Sequence, residues 1–267
     1  MSETVIQVTS LGKRIKGKTI LEDISFEINK GDCVALIGPN GAGKTVLMSC
    51  ILGDKKPSSG QVLIDGKAGK AKNKIAVLLQ ENTIPNSLKV EELIAFFQSI
   101  SDNPLTNQEV QELLQFKEDQ YQQFADKLSG GQRRLLAFVL CLIDKPKILF
   151  LDEPTAGMDT STRQRFWEIV NDLKRAGTTI LYSSHYIEEV EHTADRILVL
   201  HQGKLIRDTT PYAMRHEEKE KQVTLPSSFV NIVHGLSDIY ELTEKRDVIS
   251  FMTKDIEKVW QSLEEAG

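Results

Sequence analysis

The chain has 267 residues and a mass of 30.0 kDa, 40% of them hydrophobic and 27% charged, which is enough apolar material for one large domain with a small appendage. Its formal net charge is -5, with Lys and Arg interspersed among Asp and Glu, so no basic face for nucleic acid is expected. "MSETVIQVTS" lacks the basic stretch and apolar run of a secretion signal, and the longest apolar run, "LLAFVLCLI", is about half of what a bilayer-spanning helix needs.

Cys33, Cys50 and Cys141 show no C-x-x-C spacing and sit in apolar runs, as small buried hydrophobes do; a reducing cytoplasm suits them. From Thr19, "TILEDISFEI" sets Ile24, Phe26 and Ile28 on one side at period two. "NKGD" then turns the chain into "CVALI", Cys33–Ile37, so two strands joined by a turn are predicted. "GPNGAGKT", Gly38 to Thr45, follows at once, and behind it Val46, Leu47, Cys50 and Ile51 recur at helical spacing, with Gly53 as a stop. The reading is strand, glycine loop, helix.

"KIAVLLQ" from Lys74, "KILFLD" from Lys147, "TTILYSSH" from Thr178 and "RILVLH" from Arg196 are short apolar runs, as strands buried on both faces are. An α/β fold with a largely parallel sheet between helices follows. Between Gln80 and Lys127 the chain turns polar and helical, with Val90, Leu93, Ile94 and Phe97 forming one apolar stripe and Val110, Leu113 and Leu114 another. The mixed-charge stretch "RHEEKEK", Arg215 to Lys221, reads as a solvated connector or helix end. Beyond it, "QVTL", "FVNIVHGL", "IYELTE", "VISFMT" and "DIEKVWQSLEEAG" read as strand, helix, strand, strand, helix: a compact α+β module.

Gly38, Gly43, Lys44 and Thr45 fit G-x-x-x-x-G-K-[ST]. Glycines there let backbone N–H groups turn to phosphate oxygens, and the following helix aims its positive end at them. Lys44 would neutralise the β- and γ-phosphates, and the Thr45 hydroxyl can ligate Mg²⁺. "KILFLDEP" delivers Asp152 and Glu153 at the carboxyl end of a strand, Asp152 to hold Mg²⁺ through water and Glu153 to take a proton from the attacking water. "LSGGQ", Leu128 to Gln132, begins an apolar-faced helix with Ser129 placed to cap it and Gly130 and Gly131 exposing N–H groups. It is either a second anion-binding helix end or a plain cap.

The order GPNGAGKT, Gln80, LSGGQ, ILFLDEP, Asp159 and His185 resembles the ATP-binding cassette ATPases, over roughly Val5 to Pro211. The resemblance implies a P-loop NTPase fold: a mainly parallel sheet, an antiparallel β subdomain and a helical subdomain over about 81–145. An ATPase domain over 1–214 and an accessory module over 215–267 would result. ATP and Mg²⁺ are the implied ligands, with Pro39, Asn40, Gly41, Ala42 and Val46 completing the phosphate loop. In that family two chains sandwich two ATP molecules head to tail, so Ser129, Gly130, Gly131 and Gln132 would serve the partner chain's nucleotide. Gln80 resembles the glutamine that touches Mg²⁺ and the nucleophilic water and senses a transmembrane partner. His185 resembles the switch histidine at the γ-phosphate, and Asp159 the aspartate of a loop crossing the dimer interface, where it can also cap a helix. Two positions depart from the pattern: Ile15 stands where an aromatic residue stacks on adenine, and Val46 where Ser or Thr faces the α-phosphate.

"LSGGQRRLL", "GMDTSTRQRFW" and the small C-terminal module look most like bacterial exporter ATPases of the drug, antibiotic and polysaccharide type. The likeness implies an ATP-hydrolysing subunit at the cytoplasmic face of the membrane, bound to separate integral membrane permease subunits, as a homodimer or heterodimer of ATPase chains. A soluble, non-transport cassette ATPase of the assembly or translation type is the alternative; Glu153 and His185 together favour hydrolysis over binding alone. "SLKVEELIAFF" would lie near the groove for a cytoplasmic helix of the membrane subunit, while packing is expected of Leu93, Phe96, Phe97, Trp167 and Trp260. The C-terminal module is expected to serve dimer contact or regulation.

Overall fold

A computed structural model describes residues 3–68, 75–80, 84–85, 87–216, 221–236 and 239–265. The chain divides into two compact units, Met1–Pro211 and Tyr212–Gly267.

The first unit opens with β1 (Thr4–Ile15) and β2 (Lys18–Asn29), paired antiparallel. The period-two pattern of β2 is realised: Ile24, Phe26 and Ile28 are buried on one side. β3 (Cys33–Ile37) is buried at every residue and runs through the glycine loop into α1 (Lys44–Ile51). β4 (Ser59–Ile64) and β5 (Lys67–Ala68) extend the first pair into a sheet of order β2-β1-β4-β5. β6 (Ile75–Leu78) precedes the helical insert of α2 (Val90–Ser99), α3 (Asn107–Leu114), α4 (Glu118–Gln122) and α5 (Gly130–Leu142). Then come β7 (Ile148–Leu151), α6 (Thr160–Arg175), β8 (Thr179–Ser184), α7 (Ile187–Thr193), β9 (Arg196–His201) and β10 (Lys204–Thr209). The main sheet has the order β10-β9-β3-β8-β7-β6; β10 is antiparallel to β9 and the other pairs are parallel. Parallel strands covered on both faces need continuous apolar runs, and β3, β7 and β8 are buried throughout.

α8 (Pro211–His216) leads to β11 (Lys221–Pro226), α9 (Val230–Val233), β12 (Ile239–Glu244), β13 (Val248–Thr253) and α10 (Ile256–Glu265). This second unit is an antiparallel sheet of order β11-β13-β12 whose core gathers Val223, Val233, Ile249, Phe251, Val259 and Leu263. The strand, helix, strand, strand, helix order is the one the sequence predicts. The connector expected over Arg215 to Lys221 falls largely outside the described residues, as does Lys74 at the start of its run.

Val90, Leu93 and Ile94 are buried as the α2 stripe requires, and Trp167 packs between Phe166 and Tyr182. Phe96 and Trp260, expected in packing, are instead more than half exposed, at 54% and 52%. Each lies off the buried stripe of its helix: Phe96 falls two residues beyond Ile94, and Trp260 follows directly on the buried Val259. Cys33 and Cys50 are buried and Cys141 half-buried; burial pushes the Cys33 thiol up to about 12 and that of Cys141 up to about 11.

Candidate active site

The glycine loop sits at the carboxyl end of β3, where ligands of parallel α/β sheets bind. Two of its glycines are required by the fold itself. A Cβ on Gly38 would lie 2.1 Å from the Leu200 carbonyl oxygen, and Gly43 has a φ of 108°, in the region that disfavours side chains. Gly43 is the N-cap of α1 and makes no side-chain cap, and no acidic residue stands in the first turn, so the leading N–H groups and the helix dipole face the loop unneutralised. Lys44 is 6% exposed, and its ammonium donates to the carbonyls of Gly38 at 2.7 Å and Pro39 at 3.4 Å. The Val46 side chain packs on the core, which leaves only its backbone for an anion.

A chain of hydrogen bonds ties this loop to the end of β7. The Thr45 hydroxyl donates to Asp152 Oδ2 at 2.9 Å, and the buried Ser183 hydroxyl donates to Asp152 Oδ1 at 2.6 Å. Ser183 Oγ in turn accepts the Glu153 N–H at 2.9 Å. Glu153 takes a φ of 44°, rare for a residue with a side chain and sustained only where surrounding contacts fix it. Its carboxylate meets the other two predicted groups: Gln80 Nε2 donates to Oε2 at 3.3 Å, and His185 Nδ1 lies 3.7 Å from Oε1. The Glu153 side chain is 14% exposed and that of His185 41%, so the carboxylate is sheltered and the imidazole reaches solvent. Gln80, Glu153 and His185 therefore converge, and Thr45 and Asp152 connect to Glu153 through Ser183, while Lys44 is held on the loop carbonyls.

Further side chains tie the site together. Ser183 is the hub between Asp152 and Glu153. The His185 ring lies tilted against Tyr186, with centroids 4.0 Å apart, and the Arg163 guanidinium lies over the Tyr186 ring at 5.3 Å. Arg163 also pairs with Glu189 at 3.4 Å, and the Thr155 hydroxyl donates to the same carboxylate. A basic residue on α6 thus steadies the segment that carries His185.

The LSGGQ segment forms a capping box. Ser129 Oγ accepts the Gln132 N–H and Gln132 Oε1 accepts the Ser129 N–H, both at 3.2 Å. Among the described residues the side-chain hydrogen bonds of Ser129 and Gln132 are to each other and none reaches the glycine loop. Asp159 caps α6: Oδ1 accepts from Thr162 N at 3.0 Å and Ser161 Oγ at 2.7 Å, and Oδ2 from Thr162 Oγ1 at 2.8 Å. These donors hold its carboxyl well below the usual carboxylate range, the Ser161 hydroxyl contributing most. A Cβ on Gly131 would lie 3.0 Å from Asp159 Oδ2, so the two predicted interface segments abut within one chain. Asp159→Ala should lower the thermal midpoint while Asp159→Asn keeps it near the wild-type value, because Asn is an equal N-cap. Thermal melts check this, and equal losses in both variants would contradict the cap.

The ABC transporter family model matches residues 21–156. The Nod factor export ATP-binding protein I of Rhizobium johnstonii is 33% identical over 82% of this chain and 73% of its own length. The linearmycin resistance ATP-binding protein LnrL of Bacillus subtilis is 34% identical over 76% of this chain and 68% of its length. The probable multidrug ABC transporter ATP-binding protein YbhF of Escherichia coli is 30% identical over 87% of this chain, which spans only 42% of that protein. Among solved structures, cbiO1 from Clostridium perfringens, part of an ABC transporter complex, superposes with a TM-score of 0.70 at 26% identity, covering 80% of this chain and 92% of that one. The post-hydrolysis dimer of the cassette MJ0796, bound to ADP and Pi, shares the fold at a TM-score of 0.68 and 21% identity, over 77% of this chain and 98% of that one. Family model, relatives and fold agree with the loop and carboxylate geometry, and the chain belongs to the ATP-binding cassette family.

Proposed function

We propose that the chain binds and hydrolyses ATP as the energy-supplying subunit of an exporter, working with integral membrane permease subunits at the cytoplasmic face of a membrane. The observation that carries the hydrolytic part is the hydrogen-bonded path from Thr45 through Asp152 and Ser183 to Glu153, which ties a phosphate-binding loop to a carboxylate able to accept a proton. The exporter part rests on the names of the relatives above. It is consistent with the absence, among the described residues, of any helix long and apolar enough to cross a membrane.

Lys44 and the N–H groups at the start of α1 grip the β- and γ-phosphates. Thr45, Asp152 and Gln80 present the hard oxygen donors that suit Mg²⁺, and Asp152, 3% exposed with one oxygen already on Thr45, is held in place for it. When bound, the ion neutralises charge on the phosphate oxygens. Water attacks the γ-phosphorus, the bond to the bridging oxygen breaks, and the water's proton passes to Glu153. Gln80 orients Glu153 through its amide N–H, and His185 stands on the carboxylate's other oxygen, toward solvent. Ser129, Gly130, Gly131 and Gln132 meet the nucleotide of a second chain, as in the head-to-tail arrangement of the family, and Asp159 lies at that interface. ATP binding closes the dimer, and product release reopens it. The second unit, Tyr212–Gly267, is assigned to dimer contact or regulation.

The expected result is Mg²⁺-dependent ATP hydrolysis by the full chain and retention of an integral membrane protein on it in mild detergent. Recovery of soluble or ribosomal partners alone would overturn the transport reading, and absence of turnover in the assembled complex the hydrolytic one.

A further inference from the structure

Arg134 lies on α5, two residues beyond the LSGGQ segment, yet its side chain turns to the site in its own chain. It donates through Nη1 to the carbonyls of Leu79 and Gln80, the latter at 3.1 Å. Nη2 donates to the carbonyls of Asp152 at 3.1 Å and Glu153 at 3.4 Å, and Nε to that of Pro154 at 3.1 Å. A guanidinium has five N–H donors in a rigid fork, and here five backbone carbonyls receive them.

These carbonyls lie where two neighbouring strands end. β6 and β7 run parallel up to Leu78 and Leu151, and the Asp152 N–H makes a last ladder bond to the Leu78 carbonyl at 2.8 Å. Beyond that the strands no longer supply partners, and the part-buried carbonyls of Asp152, Glu153 and Pro154 need them, while those of Leu79 and Gln80 lie nearer solvent. Arg134 bridges the two strand ends, one leading to Gln80 and the other to Glu153. It also holds the carbonyl of Glu153 itself, whose φ of 44° needs fixing from outside. Ser183 fixes the N–H of Glu153, and Arg134 together with the Ala156 N–H its C=O, so this turn is pinned at both ends.

We infer that Arg134 is a positioning residue for hydrolysis: through five backbone carbonyls it sets the approach of Gln80 to Glu153. The inference rests on the reading of Glu153 as the proton acceptor. Because Arg134 contacts neither the phosphate loop nor Lys44 among the described residues, its removal should act on turnover and spare nucleotide binding. Because α5 also carries the LSGGQ segment, a movement of that helix would be passed to Gln80 and Glu153 through this side chain.

The test measures kcat, KM and Mg–ATP affinity for the full chain and for Arg134→Ala, Arg134→Lys and Glu153→Gln. In Arg134→Ala, kcat should fall on the order of 10- to 100-fold, as displacement of a reacting group by about 1 Å does, with KM and Kd within about threefold of wild type. Arg134→Lys keeps the charge but has three donors that cannot span both strand ends, so its kcat should also fall at least about tenfold. Wild-type kcat in Arg134→Lys, or a loss of kcat matched by an equal loss of nucleotide affinity, would overturn the inference. If Arg134→Ala does not fold, the same two outcomes in Arg134→Lys decide it. Glu153→Gln separates the two layers: undiminished turnover there removes the reading of the site, whereas an inactive Glu153→Gln beside a fully active Arg134→Lys removes the role of Arg134 alone.

Discussion

Glu153→Gln is expected to lower kcat by about 10²- to 10⁴-fold, the range that a positioned general base contributes, while Mg–ATP still binds. The carboxamide has nearly the same shape, so the sheltered position is filled and its remaining oxygen still accepts the Gln80 N–H that Glu153 now receives at 3.3 Å. The backbone turn is held by Ser183 and Arg134, not by the carboxylate, so the 44° φ at position 153 survives the exchange. What disappears is the ability to take the proton from water. With binding intact and turnover stopped, an ATP-bound dimer should accumulate, visible as a shift to twice the mass on size-exclusion chromatography with Mg–ATP. Hydrolysis at the wild-type rate would refute the role given to Glu153. Monomer that binds ATP but never dimerises would instead refute the head-to-tail arrangement.

How much of this was legible before the structure depends on whether a feature is local. "CVALI" followed by GPNGAGKT encodes strand, loop and helix within twenty residues, and the structure has them in that order. β2 was legible because its period-two burial is regular. β1 carries no regular sequence pattern, because its pairing with β2 shifts register between Thr4 and Ile6, between Val8 and Leu11, and again near Lys13, so buried residues do not alternate. β4 is half exposed and β10 is a largely exposed edge strand, so neither carries a strong apolar run. Ser183 needed the parallel register, in which Leu151 lies beside Tyr182 and Asp152 therefore beside Ser183. One signal pointed to it: two serines closing an otherwise apolar strand. Arg134 offered none, because its five acceptors come from segments 18 to 55 residues distant and belong to the backbone, which no side-chain pattern reports.

Lys44→Ala should act one step earlier, on binding itself. The ammonium is nearly enclosed, and in the structure it is held by two neutral carbonyls, Gly38 and Pro39. A triphosphate offers it charged oxygens, and charge-assisted contacts are roughly twice as strong as neutral ones, so the ammonium is drawn from the carbonyls to the phosphates. Truncating one partner of such a sheltered pair costs about 2–5 kcal/mol, so the Kd for Mg–ATP should rise roughly 30- to 4,000-fold in calorimetric titration. The fold should persist, because the close approach of Gly38 to Leu200 and the φ of Gly43 remain when the ammonium's two bonds to loop carbonyls are lost. The two substitutions thus fail differently: Glu153→Gln with nucleotide retained, Lys44→Ala with nucleotide never taken up and no dimer formed at any ATP concentration that saturates the wild type. A folded Lys44→Ala chain that binds Mg–ATP with undiminished affinity would mean that the loop after β3 does not hold the phosphates, and the placement of Glu153 beside it would lose its chemical meaning.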